Sequence, residues 1–299
     1  MALSIEICRS CVYLVQARVK KTKVVIQKKD CFEFPEEWIS DKGITNVEDF
    51  SNLLTNKIKS GGFSGKSTNL CINNSSIIYR ELMIPRVDEK RLALLVRSEM
   101  MSVLNLTPDY VMDYVILEEV VEDDSKFYRI LAVAILKDAL ESYINVLKES
   151  KLKIVAIDSA TNAVIKLVDG MDIFTDNQQL ILADISANHL RLYLFEDGKY
   201  ALSRNNRLLQ YSDDSADDFI TAVVENINKM VQFAYTRESG QNAKKIVLSG
   251  ADDILEAVRS KVDNELMIPC VIIGKPANVE ANVKYENRYI NAIGTLIRK

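Results

Sequence analysis

Alternating apolar and polar positions predict three strands at the start of the chain, over residues 3–7, 12–18 and 24–28. A tight turn joins the first two, and a polar turn over residues 20–23 leads into the third. The same layout returns half a chain later, with strands over 180–184, 189–195 and 199–205 and turns at 186–188 and Glu196-Asp197-Gly198. One duplication at this spacing predicts two related lobes; a solenoid would show short and numerous repeats. The expected class is α/β, with a first lobe over 1–178, a second over 179–299, and no linker long enough to separate independent domains.

Between the two meanders, Val47, Phe50, Leu53, Leu54 and Ile58 fall on one helical face, followed by a turn at Gly61 and Gly62 and a strand near 69–72. A small α+β insertion is expected over about 77–136. It reads as a strand (77–83) closed by Pro85, a helix (88–104), and a hairpin (112–121 with 128–136) around Glu122-Asp123-Asp124. A helix over 138–149, a strand over 154–158 and a helix over 160–168 capped by Ser159 complete the first lobe. The second lobe continues with a helix over 216–235, whose Phe219, Val223, Ile227, Met230 and Val231 form an apolar stripe. A strand over 245–249 ending at Gly250, a helix over 254–262, a strand over 269–273 and a last helix over 289–297 follow.

With 299 residues, 48% hydrophobic and 27% charged, the chain can bury a substantial core, and disorder, collagen and coiled coil are excluded. A formal net charge of −4 supplies no global basic field for nucleic acid or anionic lipid. No apolar run approaches the length of a spanning helix, and the N-terminus reads as a strand with no signal peptide, so a cytoplasmic protein is expected. Five cysteines (Cys8, Cys11, Cys31, Cys71, Cys270) without framework spacing read as reduced thiols in a core. His189, the single histidine, is expected as a solvated residue in a hairpin turn, which removes most histidine-based metal and triad chemistry.

Two motifs invite chemistry and fail on context. Gly65-Lys66-Ser67 resembles the end of a phosphate-binding loop, but Ser60 stands where its first glycine belongs, and a helix precedes where a strand is required. A solvated helix-to-strand turn accounts for it. Cys8-x-x-Cys11 has redox spacing, yet it sits in a strand hairpin with no helix N-terminus to lower a thiol pKa and no second pair for zinc.

The hairpins are more informative, because each ends its first strand on an acid: Glu6 in Ile5-Glu6-Ile7-Cys8-Arg9-Ser10 and Asp184 in Ala183-Asp184-Ile185-Ser186. With the duplication and the turn Leu248-Ser249-Gly250-Ala251, they resemble the actin-like (ribonuclease H-like, duplicated) ATPase fold. Arg80-Glu81-Leu82-Met83-Ile84-Pro85, the helix carrying Glu99, Val155-Ala156-Ile157-Asp158-Ser159-Ala160 and Tyr289-Ile290-Asn291-Ala292-Ile293-Gly294 resemble the type IV pilus assembly protein PilM family over nearly the whole chain.

That resemblance implies a two-lobed actin-like fold whose nucleotide, ATP with Mg²⁺, would lie against Glu6, Ser10, Asp184, Ser186 and Gly250, with Asp184 the acid toward the magnesium. In the family each phosphate hairpin has a glycine, so that backbone N–H groups can approach without a Cβ in the way. Cys8 and Ser186 stand at those places, Glu6 replaces an aspartate and Tyr13 a lysine, which makes the expected pocket degenerate. A polar cap of a strand end and a nucleotide-side role stay equally open for Glu6, while the repeat favours the latter for Asp184. No catalytic residue is assigned.

The resemblance further implies a groove, formed by the insertion, for the cytoplasmic N-terminal tail of a PilN-like inner-membrane partner, which docks as an extended peptide. Arg80 and Glu99 are expected to pair at that groove, because Glu99 falls among Leu92, Leu95, Val96, Met100 and Val103 and needs a cation. The function expected is a scaffold of a pilus or related envelope machine, cytoplasmic and peripheral at the inner membrane through its partner. The alternative is an active ATPase that polymerises or switches lobe closure. The membrane-binding amphipathic tail of a related cell-division protein is not expected, since the chain stops at Arg298-Lys299.

Overall fold

Two strands that are apolar apart from Ser4 and Glu6 in one and Gln179 and Asp184 in the other, β1 (Ala2–Ile7) and β11 (Gln179–Ile185), are buried along nearly their whole length. This is the signature of strands covered on both faces, and each lies inside its own sheet. The computed structural model describes residues 1–21, 23–64, 67–174, 178–186, 188–208, 212, 215–237 and 243–297. Gly65 and Lys66, Ala187 of the second hairpin, and Arg298 and Lys299 lie outside the described residues.

In the first sheet β1 runs antiparallel to β2 (Cys11–Lys20) and β2 to β3 (Lys23–Glu33), as the alternation predicts. A two-strand ribbon, β4 (Ile39–Ser40) with β5 (Gly43–Ile44), precedes the amphipathic helix α1 (Val47–Ser60). After α1, β6 (Ser67–Ile72) returns parallel to β1. The insertion follows: β7 (Ile78–Pro85), α2 (Glu89–Leu104), β8 (Tyr110–Glu122) and β9 (Ser125–Leu136), giving a sheet of order β7-β9-β8. Asp88 caps α2 by accepting from the Arg91 amide. Then come α3 (Lys137–Glu149), β10 (Lys153–Ser159), parallel to β6 at the sheet edge, and α4 (Ala160–Val168), capped by Ser159 as expected.

The second sheet repeats the plan. β11 pairs antiparallel with β12 (His189–Glu196) and β12 with β13 (Lys199–Arg207). The long helix α5 (Ala216–Tyr235) leads to β14 (Ala243–Gly250), parallel to β11, followed by α6 (Leu255–Leu266) and β15 (Cys270–Ile272). Phe219, Val223, Ile227, Met230 and Val231 of α5 are buried against this sheet.

The last segment leaves the second sheet. β16 (Val279–Ala281) pairs in parallel with β3 and completes the order β10-β6-β1-β2-β3-β16. Residues 179–299 therefore supply a strand to the first sheet, and a strand of three residues is too short to show a period in the sequence. Helix α7 (Ile290–Gly294) then packs with α4 in a layer between the sheets, where Val15 and Ile26 of the first meet Leu182, Tyr193 and Phe195 of the second.

Gly294 lies at the crossing of α4 and α7, where a Cβ would come within 2.1 Å of the Ala163 carbonyl oxygen. The two backbones touch, so no larger residue fits without separating the helices that join the sheets. Gly294→Ala is expected to cost about 1–3 kcal/mol, read as a lowered urea midpoint; an unchanged midpoint would show that the helices can part freely.

Three sequence expectations are corrected here. Leu92, Val96 and Met100 are buried in α2, but Leu95 and Val103 are exposed, and so is Glu99. The helix packs along its i, i+4, i+8 diagonal, which turns Glu99 off the contact face. His189 opens β12 half-buried, with Nδ1 2.6 Å from Asn188 Oδ1, and is not a solvated turn residue. Cys31 is exposed, although Cys71 and Cys270 are in the core and all five cysteines are free.

Candidate functional site: an interlobe seam and an edge-lined groove

Both acids that end the repeated strands are drawn to the seam between the sheets. Strand alternation leaves Glu6 on a fully covered face, and the carboxyl group is 1% exposed. Its Oε1 accepts from Asn73 Nδ2 at 2.8 Å, from Asn291 Nδ2 at 2.9 Å and from Cys8 Sγ at 3.3 Å. Asn291, in the first turn of α7, donates from the same Nδ2 to Asp184 Oδ2 at 3.1 Å. One side-chain amide thus bridges an acid of the first sheet to an acid of the second. Asp184 stands opposite Arg191 in the β11–β12 register, and that arginine is itself buried.

The hairpin amides turn inward. Cys8 N–H donates to the Cys11 carbonyl (2.9 Å), Ser186 N–H to the His189 carbonyl (2.8 Å) and Ala251 N–H to the Ile185 carbonyl (2.8 Å). Gly250 has φ +106°, and a Cβ there would lie 1.9 Å from the Ile185 carbonyl oxygen, so glycine is required by backbone contact with β11. Ser10 sits in the first turn, where its carbonyl accepts from Phe34 N–H. Two cavities remain between the hairpins, each of about 30 Å³: one is lined by Ser10, Ser186, Cys8 and His189, the other by Glu6, Asp184, Gly250, Arg191 and Asn291. A wider hollow of about 530 Å³ opens beside them, among Cys11, Tyr13, Phe32, Lys57, Asp253 and Arg288.

Burial sets the electrostatics of the seam. It pushes the Glu6 carboxyl up to about 7; the neighbouring Asp184 raises it further, while the Asn73 and Asn291 hydrogen bonds oppose the shift. Asp184 is raised as well, by burial, against the pull of Asn291 and Arg191. His189 is pushed down to about 4 by burial and by Arg191, Arg9 and Arg207, so it is neutral at physiological pH. Burial pushes the Cys11 thiol up to about 12 and Cys8 well above the ordinary thiol value, opposite to what a redox pair needs. Among the described residues no group of three or more His, Cys, Asp or Glu is placed to hold a metal ion.

Arg80 and Glu99 are not brought together. Both are exposed, and the ion pairs of the described residues include none between them. Arg80 lines a cleft of about 320 Å³ against Tyr200, Ser203 and Arg237, away from α2. The apolar groove of the insertion lies elsewhere. It measures about 280 Å³, between β8 on one side and the end of β10 on the other, and is lined by Tyr79, Val111, Val115, Leu131, Val133, Ile135 and Ile157. β8 is the outer strand of the insertion sheet and β10 the outer strand of the first sheet, so a strand edge borders each wall. At the polar end, Asp158 is tied to Lys166 Nζ (2.5 Å) and Asn162 Nδ2 (2.8 Å). The insertion is fixed to the second sheet by Glu118 with Lys199 and by Arg129 donating to the Tyr200 carbonyl (3.1 Å).

Sequence reasoning missed Asn291 and Asn73 as seam residues. The available signal was a lone amide in the otherwise apolar Ile290-Asn291-Ala292-Ile293, which ends up 4% exposed.

The seam makes a pH prediction. Folded Glu6 binds its proton more tightly than unfolded Glu6, so its stabilising contribution is complete below pH 4.5 and is lost as the pH rises through about 7. Glu6→Gln should gain on the parent by about 3 kcal/mol between pH 5 and 8, measured by urea unfolding across that range. A parent-to-variant difference that stays flat with pH would remove Glu6 as the titrating group.

The family model described as Type IV pilus assembly protein PilM matches residues 4–208. The chain is similar in structure to a solved PilM-PilN type IV pilus biogenesis complex, at 14% identity and a TM-score of 0.83, covering 99% of this chain and 97% of that one. It is also similar to a Bacteroides thetaiotaomicron protein with an actin-like ATPase fold and unknown function, at 14% identity, TM-score 0.53 and coverage of 98% and 95%. The cytoplasmic domain of EpsL, an inner membrane component of the type II secretion system of Vibrio cholerae, is similar at 7% identity, TM-score 0.53 and coverage of 100% and 95%. No curated protein matches the chain in sequence. The fold is the two-lobed actin-like fold with a small α+β insertion.

Proposed function

From the premise that this chain belongs to the type IV pilus assembly protein PilM family, we propose that it is a scaffold that docks the cytoplasmic N-terminal tail of a PilN-like inner-membrane protein. The groove of about 280 Å³ between β8 and β10 carries this reading. An extended peptide satisfies its own backbone by pairing with a free strand edge, and its apolar side chains fill a pocket lined by Val115, Leu131 and Val133. Docking there would hold the protein at the inner face of the membrane; no helix of the described residues is long and apolar enough to cross one. Residues 1–178 and 179–299 are proposed as the two lobes, joined by β16 and α7. The groove replaces the Arg80–Glu99 pair as the docking site.

The seam does not fit magnesium and a triphosphate. Buried Glu6 and half-buried Asp184 share the Asn291 amide, the Cys8, Ser186 and Ala251 amides are used internally, and each cavity has room for little more than one water. The hollow of about 530 Å³ beside it could take a nucleoside, but the phosphates would have to enter those cavities. We therefore read the pocket as degenerate and derive no chemical step through ATP, which speaks against the alternative of a polymerising or lobe-switching ATPase.

Val111 and Ile157 line the groove and are 39% and 40% exposed, so changing them should leave folding largely intact. Calorimetric titration with a synthetic peptide of the N-terminal tail of the PilN homologue from the same organism is expected to give 1:1 binding. Val111→Asp and Ile157→Asp should each weaken it about tenfold or more. Binding unaffected by both substitutions would place the tail elsewhere.

A further inference from the structure

The amide of Asn291 is 4% exposed and touches carboxylates that belong to different sheets, at 2.9 Å and 3.1 Å. An NH₂ group has two hydrogens, and here each has an acid to meet. The helix that carries it cannot drift, because Gly294 holds α7 in backbone contact with Ala163 of α4 and the Thr295 hydroxyl donates back to the Asn291 carbonyl at 2.9 Å. Glu6 Oε2 and Asn291 Oδ1 are buried without a hydrogen-bond partner among the described residues, and both residues line a cavity of about 30 Å³, space for one water. The polar centre between the sheets is thus filled by this chain's own groups.

We infer that Asn291 is the closing group of the interlobe seam: its side chain holds the two sheets together where the fold would otherwise place a nucleotide, so that closure is built into the chain and needs no ligand. A neutral amide suits the position because it supplies donors to both acids without adding charge between Arg191, Arg288 and His189, which face the same cavity. A leucine of similar volume would fill the space but remove the donor the two acids share, leaving Glu6 only Asn73 and Cys8 and Asp184 without that hydrogen bond, loosening the seam and little else.

The inference rests on reading the seam as free of nucleotide, and the test separates the two claims. Amide hydrogen exchange is followed on the full chain, with and without millimolar Mg-ATP, for the parent, Asn291→Leu and the milder Asn291→Ser. In the parent, Mg-ATP is expected to leave exchange over residues 5–11 and 184–191 unchanged. Asn291→Leu should raise exchange in those two segments about tenfold, and Asn291→Ser about threefold, while α5 stays within about twofold. Protection of the seam by Mg-ATP would overturn the nucleotide-free reading. Parent-like exchange in both variants, or an equal rise in α5, would overturn the role of Asn291. Should Asn291→Leu fail to fold, Asn291→Ser alone decides. No peptide enters the experiment, so its result is independent of the groove.

Discussion

A buried carboxylate, Glu6, and a half-buried one, Asp184, facing each other across a seam are the constraint on which the arrangement of the sheets depends. Neither Glu6 nor Asp184 reaches water freely, and ionised carboxyl groups removed from water need donors or a proton. The chain meets that need from three places: Asn73 after β6 and Asn291 on a helix that follows the last strand of the first sheet donate hydrogen bonds, and Arg191 on β12 sets its positive charge beside Asp184. Bringing Asn291 there requires the C-terminal segment to cross back, pair β16 with β3 and lay α7 on α4. The polar centre and the crossing of the chain are two views of one requirement. The seam is reinforced at its rim, where Glu36 accepts from both Arg9 of the first hairpin and Arg207 of β13.

The groove answers to a different constraint. A strand at the edge of a sheet leaves backbone N–H and C=O groups unpaired, and proteins usually blunt or cover such edges. Here the edges of two separate sheets are set beside one apolar hollow, and the insertion that carries one of them is anchored to the second sheet through Glu118, Arg129 and Lys199. The groove wall is therefore positioned by both lobes. α4 connects the two features: its N-terminal turn, with Ser159 and Asn162, lines the groove, and Ala163 one residue further meets α7 beneath the seam.

Elements with a strong period were legible in the sequence: both three-strand meanders, the amphipathic α1 and α5, the cap Ser159, and the insertion hairpin around Asp123 and Asp124. Most of the shortest strands were not, because two or three residues carry no alternation: β4, β5 and β16 exist only by virtue of their partners, whereas β15, equally short, falls inside the expected strand over 269–273. Glu99 was misjudged for a geometric reason. Seven residues bring it within about 20° of Leu92 on an ideal helix, but packing on β7 and β9 selects the diagonal through Val96 and Met100 and leaves Glu99 in solvent.

The sequence by itself determined the local grammar of this protein: which segments are strands or helices, where they turn, that the plan is duplicated, and that an acid ends each first strand. Those properties depend on neighbours a few residues apart, and composition and spacing encode them directly. Only the tertiary structure decided what the acids face, since the donors to Glu6 come from positions 73 and 291. It also decided that the apolar hollow of the insertion lies between β8 and β10, because an open edge is a property of strand order, and that Arg80 and Glu99 do not meet. Contacts between residues hundreds of positions apart are set by packing and leave no period in the chain.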